Sequence, residues 1–217
     1  MINNRKFKAV IFDIDGTLTP EISWTALTRD MGASVEEHLK IFKAHQNNEI
    51  TYESSKQKLL ELWWKTGNAK KPFFKTLFNG WKLKSGAKEL IEYLFSRGYL
   101  ICLITGSTDL YADIIAKRLG IKIWFANASF DWDINGKLIN FHYDINQKEK
   151  KLEQFLKFCR ENDINPKDCV VVGDGYNDAE LFSITGNGIS MELEDSHHLE
   201  KIAWKKVKNL SEIKDLL

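Results

Sequence analysis

The sequence predicts an α/β fold: a doubly wound parallel sheet interrupted, after its first strand, by a helical insertion. Three observations carry this expectation. Short apolar runs break into polar, glycine-containing turns at three places, helical periodicities separate those runs, and residues 21–81 show helical periodicity alone.

Residues 8–12 (KAVIF) have the uninterrupted apolar character of a strand buried on both faces, and they run into Asp13-Ile-Asp-Gly-Thr17. Residues 100–104 lead in the same way into Thr105-Gly106-Ser107, and residues 169–172 into Gly173-Asp174-Gly175. Helices are expected over 87–97, 110–119, 148–161 and 178–184. Ligands of such sheets bind beyond the carboxyl ends of the strands, where all three turns fall.

Residues 21–81 break the alternation. Helical patterns cover 23–31, 35–45, 52–66 and 72–78, separated by polar breaks such as Gln46-Asn47-Asn48-Glu49 and Thr66-Gly67-Asn68. The segment is too long for a loop in a compact domain. It is expected to be an insertion with its own small core, built by most of its aromatic residues. The expected division is a core domain of 1–20 and 82–217 and a helical domain of 21–81. Later, aromatic-rich segments 123–133 and 137–143 flank Asn135-Gly136, a hairpin-turn signal.

The composition is that of an ordinary globular chain, 217 residues with 43% hydrophobic and 28% charged. A formal net charge of +1 provides no field to draw the protein onto nucleic acid or a membrane, and neither is expected as a partner. The basic clusters at Lys148, Lys150, Lys151 and at Lys205, Lys206 read as solvated helix faces. No apolar run approaches the roughly 20 residues that span a bilayer, and the first residues do not form a secretory signal. Three cysteines, an odd number without CxxC spacing, read as buried free thiols, and a cytoplasmic location is expected. Five histidines show no metal-ligand spacing, and the adjacent His197 and His198 read as surface residues. Oligomeric state is not legible.

The chemistry concentrates in the turns. Alternate residues of a strand share a face, so Asp13 and Asp15 point the same way at its end. Gly16 allows a sharp turn there, and Thr17 can bond back to the turn or orient a carboxylate. Two carboxylates held together suit metal binding or acid/base work.

With these motifs the chain resembles the haloacid dehalogenase-like superfamily. Asp13-Ile-Asp-Gly-Thr-Leu-Thr19 is similar to its first motif, and Ile101-Cys-Leu-Ile-Thr105-Gly-Ser107 to its second. Lys148 looks like the basic residue of the third, and Gly173-Asp174-Gly-Tyr-Asn177-Asp178 like the fourth, GDxxxD. The resemblance implies a Rossmann-like core with a helical cap domain, and a Mg²⁺-dependent phosphatase using an aspartyl-phosphate. Asp13 would be the nucleophile and Asp15 the acid/base. Adjacent carboxylates repel each other as anions, which raises the proton affinity of one and suits Asp15 to that dual role. The implied metal set is Asp13, Asp15 (through its backbone carbonyl), Asp174 and Asp178, the last orienting a metal-bound water or another ligand. Thr105, Gly106, Asn177 and Lys148 would join Asp13 around the phosphate.

Lys148 is preferred to Lys151 because Leu152, Phe155, Leu156 and Cys159 outline a buried helix face and Lys148 lies one turn before it. Asp15 points away from ATPase relatives, which have Thr there, and from dehalogenases, which lack this acid. The helical insertion resembles the lid of the phosphoserine phosphatase group, whose cap Glu and cap Arg read the serine. Here Glu21 is one residue out of register and Gln57 stands where Arg is expected. Gln cannot supply the charged fork of Arg, so the ester, a small-molecule phosphate, is not identified. If one or two of the cap aromatics face the site, the substrate would have an apolar or ring-bearing leaving group. A phosphotransferase or mutase is the alternative, and a non-catalytic phosphoester-binding protein the remaining one.

Overall fold

A computed structural model describes residues 7–191, 199 and 201–217 of the chain; His197 and His198 lie outside them. The sheet has seven strands in the order β4-β3-β2-β1-β5-β6-β7. They are β1 (Ala9–Phe12), β2 (Leu100–Thr108), β3 (Ile123–Trp132), β4 (Leu138–Tyr143), β5 (Cys169–Gly173), β6 (Gly188–Met191) and β7 (Lys205–Val207). All neighbours pair in parallel except β3 and β4, which form the antiparallel hairpin expected around Asn135-Gly136. Gly136 there has φ +75°, a conformation that glycine adopts without Cβ strain.

β1 pairs with β2 on one side and β5 on the other, so the strand order reverses at β1. A crevice opens at such a reversal point, beyond the carboxyl ends of the strands. The residues of β1 alternate between two cores. Val10 and Phe12 pack with α5 (Ala87–Ser96) and α6 (Asp109–Leu119). Ala9 and Ile11 pack with Phe155 and Phe158 of α7 (Gln147–Glu161) and Leu181 and Phe182 of α8 (Ala179–Thr185). The doubly wound expectation holds.

Four helices fill the interruption: α1 (Ser23–Asp30), α2 (Val35–Gln46), α3 (Tyr52–Trp64) and α4 (Lys71–Gly80). Ser34 and Thr51 cap α2 and α3 by accepting the backbone N–H of Glu37 and Ser54. Among the described residues these helices do not form the separate core expected of them. Trp63 is fully buried, donates its indole N–H to Thr28 Oγ1 at 2.9 Å, and packs edge-on against Phe130 of β3. Phe74 lies 5.2 Å from the same ring. These helices bury their apolar faces on the β3–β4 hairpin, in one cluster continuous with the sheet. Each such aromatic pair adds roughly 0.5–1.5 kcal/mol beyond the area it buries.

Two further expectations are corrected. Lys205 and Lys206 lie in β7, not on a helix face, because the short segment completes the sheet beside β6. Lys151 is wholly buried, not solvated. The three cysteines are buried and unbonded, as expected. Among the described residues no helix is long and apolar enough to cross a membrane.

Candidate active site

The three polar segments converge at the carboxyl ends of β1, β2 and β5, but Thr105-Gly106-Ser107 is not the turn expected: it is the last part of β2, which stays paired with β3 through a register shift between Thr105 and Thr108. Asp13 follows β1 directly, and its N–H donates to the Val172 carbonyl of β5 at 3.0 Å, so the sheet ladder itself fixes where its carboxylate begins. Gly16 takes φ +70°, and a Cβ there would lie 2.1 Å from Asp174 Oδ2. Glycine is therefore needed twice over: for the turn and for the approach of the β5 turn. Gly173 has a matching constraint, since a Cβ would lie 2.3 Å from Asp178 Oδ2. Thr17 donates to Asp174 Oδ1 at 2.9 Å, the carboxylate-orienting role its position suggested.

Asp13, Asp174 and Asp178 each bring a carboxylate oxygen within 4.8 Å of the others. Three anions this close, with Asp13 and Asp178 almost wholly buried, require compensating positive charge. Lys151 supplies part of it: Nζ lies 3.0 Å from Asp13 Oδ1 and 2.7 Å from Asp178 Oδ1. Burial works to lower the Lys151 pKa, but the charges of Asp13 and Asp178 outweigh it and hold the ammonium above its ordinary range.

The preference for Lys148 is thereby corrected. Its ammonium sits 3.2 Å over the Tyr176 ring, while Lys151 occupies the cluster. The buried residues of α7 are Lys151, Gln154, Phe155, Phe158 and Cys159, at i, i+3, i+4, i+7 and i+8. The lysine belongs to that stripe rather than to the turn before it. Leu152 and Leu156, which suggested the other phase, are only partly buried.

The carboxylates differ in their proton affinity. Burial, then the charges of Asp13 and Asp178, push Asp174 up to about 7 against the opposing bond from Thr17. Burial pushes Asp178 to about 6, with Lys151 opposing. Asp15 stands outside the three-carboxylate group. Its Oδ2 accepts the N–H of Ser23 at 2.9 Å and the Ser23 hydroxyl at 2.6 Å, while Oδ1 is buried without a hydrogen-bond partner. Burial raises Asp15 to about 7, the Ser23 hydroxyl lowers it in part, and the Asp13 charge raises it again.

Ser23 is a residue that sequence reasoning missed. Its hydroxyl also lies 2.5 Å from Ser107 Oγ, and the Ser107 N–H donates to Thr105 Oγ1 at 3.1 Å. A continuous polar chain thus links Asp15 to the end of β2 through the first residue of α1. Gly106 is flanked by Gln147 and Asn177, and a Cβ would approach Gln147 Oε1 to 2.7 Å and Asn177 Nδ2 to 3.1 Å. Gln147 was also missed; Asn127, buried, holds it with a 2.8 Å bond. Lys84 donates to the Gly16 carbonyl beside Asp174.

The two candidate specificity residues are not brought to this site. Glu21 is exposed and pairs with Arg29. Gln57 is exposed and donates to Glu61 Oε1 at 2.9 Å, one turn along its own helix.

Residues 7–183 match the haloacid dehalogenase-like hydrolase family. The chain belongs to that family. This hydrolase is 30% identical over 188 residues to a phosphoserine phosphatase of Methanocaldococcus jannaschii, with 84% of each chain covered. It is 27% identical over 202 residues to a phosphoserine phosphatase of Lactococcus lactis subsp. lactis, covering 88% of this chain and 89% of that one. Among solved structures, it superposes on a phospho-aspartyl intermediate analogue of phosphoserine phosphatase with a TM-score of 0.74 and 27% identity. That match covers 98% of this chain and 100% of the other. A substrate-bound phosphoserine phosphatase complex gives a TM-score of 0.75 at 26% identity, covering 99% and 100%.

Proposed function

We propose that this hydrolase cleaves a small-molecule phosphate monoester in two steps through an aspartyl-phosphate on Asp13. The observation that carries this is the Lys151 ammonium paired with both Asp13 and Asp178 inside a group of three carboxylates, beside a fourth, Asp15, held apart from them. The relatives' names and the phospho-aspartyl analogue support the same reading.

Asp13 attacks phosphorus and the ester P–O bond breaks. Asp15 gives its proton to the departing alkoxide oxygen, and with a pKa near 7 it can hold that proton at neutral pH. Water then attacks the aspartyl-phosphate, returns a proton to Asp15, and frees inorganic phosphate and Asp13. Lys151 holds Asp13 in place and balances charge on the phosphoryl oxygens. Thr105 and Gly106 at the end of β2, with Asn177 and Gln147, form the opposite wall.

Three oxygens from Asp13, Asp174 and Asp178 fit Mg²⁺, a hard cation that takes few protein carboxylates and keeps several waters. When bound, it supplies Lewis-acid stabilisation of the phosphoryl oxygens. The three unbonded thiols favour a cytoplasmic location. The residue 21–81 helices act as a cap domain on the core of 1–20 and 82–217.

The test is Asp13→Asn assayed with p-nitrophenyl phosphate and Mg²⁺. Turnover should fall on the order of 10³-fold, about 4 kcal/mol of transition-state stabilisation. Undiminished turnover overturns the nucleophile assignment.

A further inference from the structure

Beside the site lies a cavity of about 360 Å³ among α1, α2, α3 and β4. We propose that this cavity binds an apolar, ring-sized leaving group of the phosphate ester. The inference rests on the phosphatase reading for where the phosphate sits, but its own content is what lies beyond the scissile oxygen.

Position is the first argument. Ile22 and Trp24 line the cavity, and Ser23 between them makes both bonds to Asp15, the group that protonates the leaving oxygen. Tyr143 lines it from β4. Burial raises the Tyr143 phenol above its ordinary range, and Lys151 is near enough for its charge to act in the opposite sense. The cavity therefore adjoins the segment that holds Asp15.

Chemistry is the second. Among the described residues no Asp, Glu or Arg lines the cavity. Lys56 does, with its ammonium held 2.7 Å from Glu53 Oε2. His38 is bonded through Nδ1 to Thr28 Oγ1 at 2.6 Å, and burial lowers its pKa to about 4, so it is neutral at physiological pH. An amino-acid moiety needs an anion for its ammonium and a fork of donors for its carboxylate. Glu21 and Gln57, the candidates for those tasks, are turned to solvent and engaged elsewhere. His45, Thr25 and Ser55 also line it, each bonded to a backbone carbonyl, of Ile50, Ile22 and Tyr52. The rest is a mainly aromatic and aliphatic wall with a buried, unpartnered donor, the indole N–H of Trp24. Apolar walls with very few polar groups are the usual character of a site for an apolar ligand.

Size is the third. A cavity of about 150 Å³ lined by apolar side chains takes up benzene, so this one has room for a substituted ring. Leu39 and Phe42 line it with half of their surface exposed, at 50% and 46%. They can be changed without opening a core.

The experiment compares benzylphosphonate with methylphosphonate by isothermal titration calorimetry, with Mg²⁺, on the full chain and on the variants Leu39→Ser and Phe42→Ser. Benzylphosphonate should bind at least tenfold tighter. Either substitution should cut that advantage several-fold, leave methylphosphonate binding unchanged and preserve Tm. In turnover, kcat/KM should be higher for benzyl phosphate than for phosphoserine. Equal affinity for the two phosphonates, no benzylphosphonate binding, an advantage that survives both substitutions, or a higher kcat/KM for phosphoserine overturns the inference. Loss of turnover on every ester with the benzyl advantage retained would overturn the phosphatase reading and support this one.

Discussion

The floor of the site and the helical segment beside it are built on opposite physical terms. At the floor, Asp13, Asp174, Asp178 and Lys151 pack buried charge against buried charge, each placed by a turn that follows a strand or by the buried stripe of α7. In the helical segment the cavity wall is largely apolar, its Lys56 is paired with Glu53 and its His38 is neutral. Buried opposite charges tolerate little displacement, because an uncompensated ion costs several kcal/mol. Apolar contacts tolerate more, since their energy follows area and not direction. The contrast is what the proposal builds on: chemistry at the sheet edge and leaving-group contacts in the helices.

The largest expected effect separates two lysines of one helix. Lys151→Met leaves the carboxylates without their ammonium and should lower stability by roughly 3–5 kcal/mol, the range for breaking a buried pair. Turnover should be lost with it. Lys148→Met removes an exposed contact with Tyr176 and should change kcat/KM less than about tenfold, on the order of 1.4 kcal/mol. Urea denaturation and p-nitrophenyl phosphate kinetics on both variants check the pair, and equal effects would break the contrast at its charged end.

Gly16→Ala comes next. The new Cβ would meet the Asp174 carboxylate at 2.1 Å in a backbone conformation that L-residues resist. Mg²⁺ titration followed by calorimetry should show affinity reduced on the order of tenfold or more, the range seen when a ligand's support is lost. Unchanged affinity would show that Asp174 is not held by that approach.

The pH dependence sharpens the picture. Asp15 and Asp174 rise from 3.8 to about 7 and Asp178 to about 6, so the native state binds these protons more tightly than the unfolded chain. Stability from them is present below about pH 4 and lost as pH rises through 6–7. Metal binding requires the deprotonated carboxylates, so its stabilisation grows over the same window. Melting curves in EDTA should show Tm falling from pH 5 to pH 8 more steeply than in Asp174→Asn. The Tm gain from Mg²⁺ should be larger at pH 8 than at pH 5.

The smallest effect belongs to Ser23, a positioning residue at the boundary between the two regions. Its hydroxyl lowers the Asp15 pKa, so Ser23→Ala should move the Asp15 limb of the kcat/KM–pH profile upward, by less than about one pH unit or 1.36 kcal/mol. An unmoved profile would detach Ser23 from the acid.

Much of the site was legible because its residues are local in the chain. Asp13, Asp15, Gly16 and Thr17 lie within five positions, and Gly173, Asp174 and Asp178 within six. Contiguous turns announce themselves by composition. Ser23 and Gln147 were not legible, since neither belongs to a turn signal and each matters through a partner far along the chain. β6 and β7 escaped notice because, unlike β1, they carry no uninterrupted apolar run: β6 begins with Gly188 and contains Ser190, and β7 begins with Lys205-Lys206.

By itself, the sequence determined the alternation of strands and helices, the hairpin at Asn135-Gly136, and the turns that carry Asp13 and Asp174. These follow from local backbone preference and residue period. Tertiary structure alone decided three things: the phase of α7 that buries Lys151 and leaves Lys148 on Tyr176, the joining of the inserted helices to β3 and β4 in one core, and the turning of Glu21 and Gln57 to solvent. Helical spacing offers several neighbouring faces, and packing against the sheet selects one. Opposite Asp13 and Asp178, that selection set a lysine where a leucine's spacing had pointed.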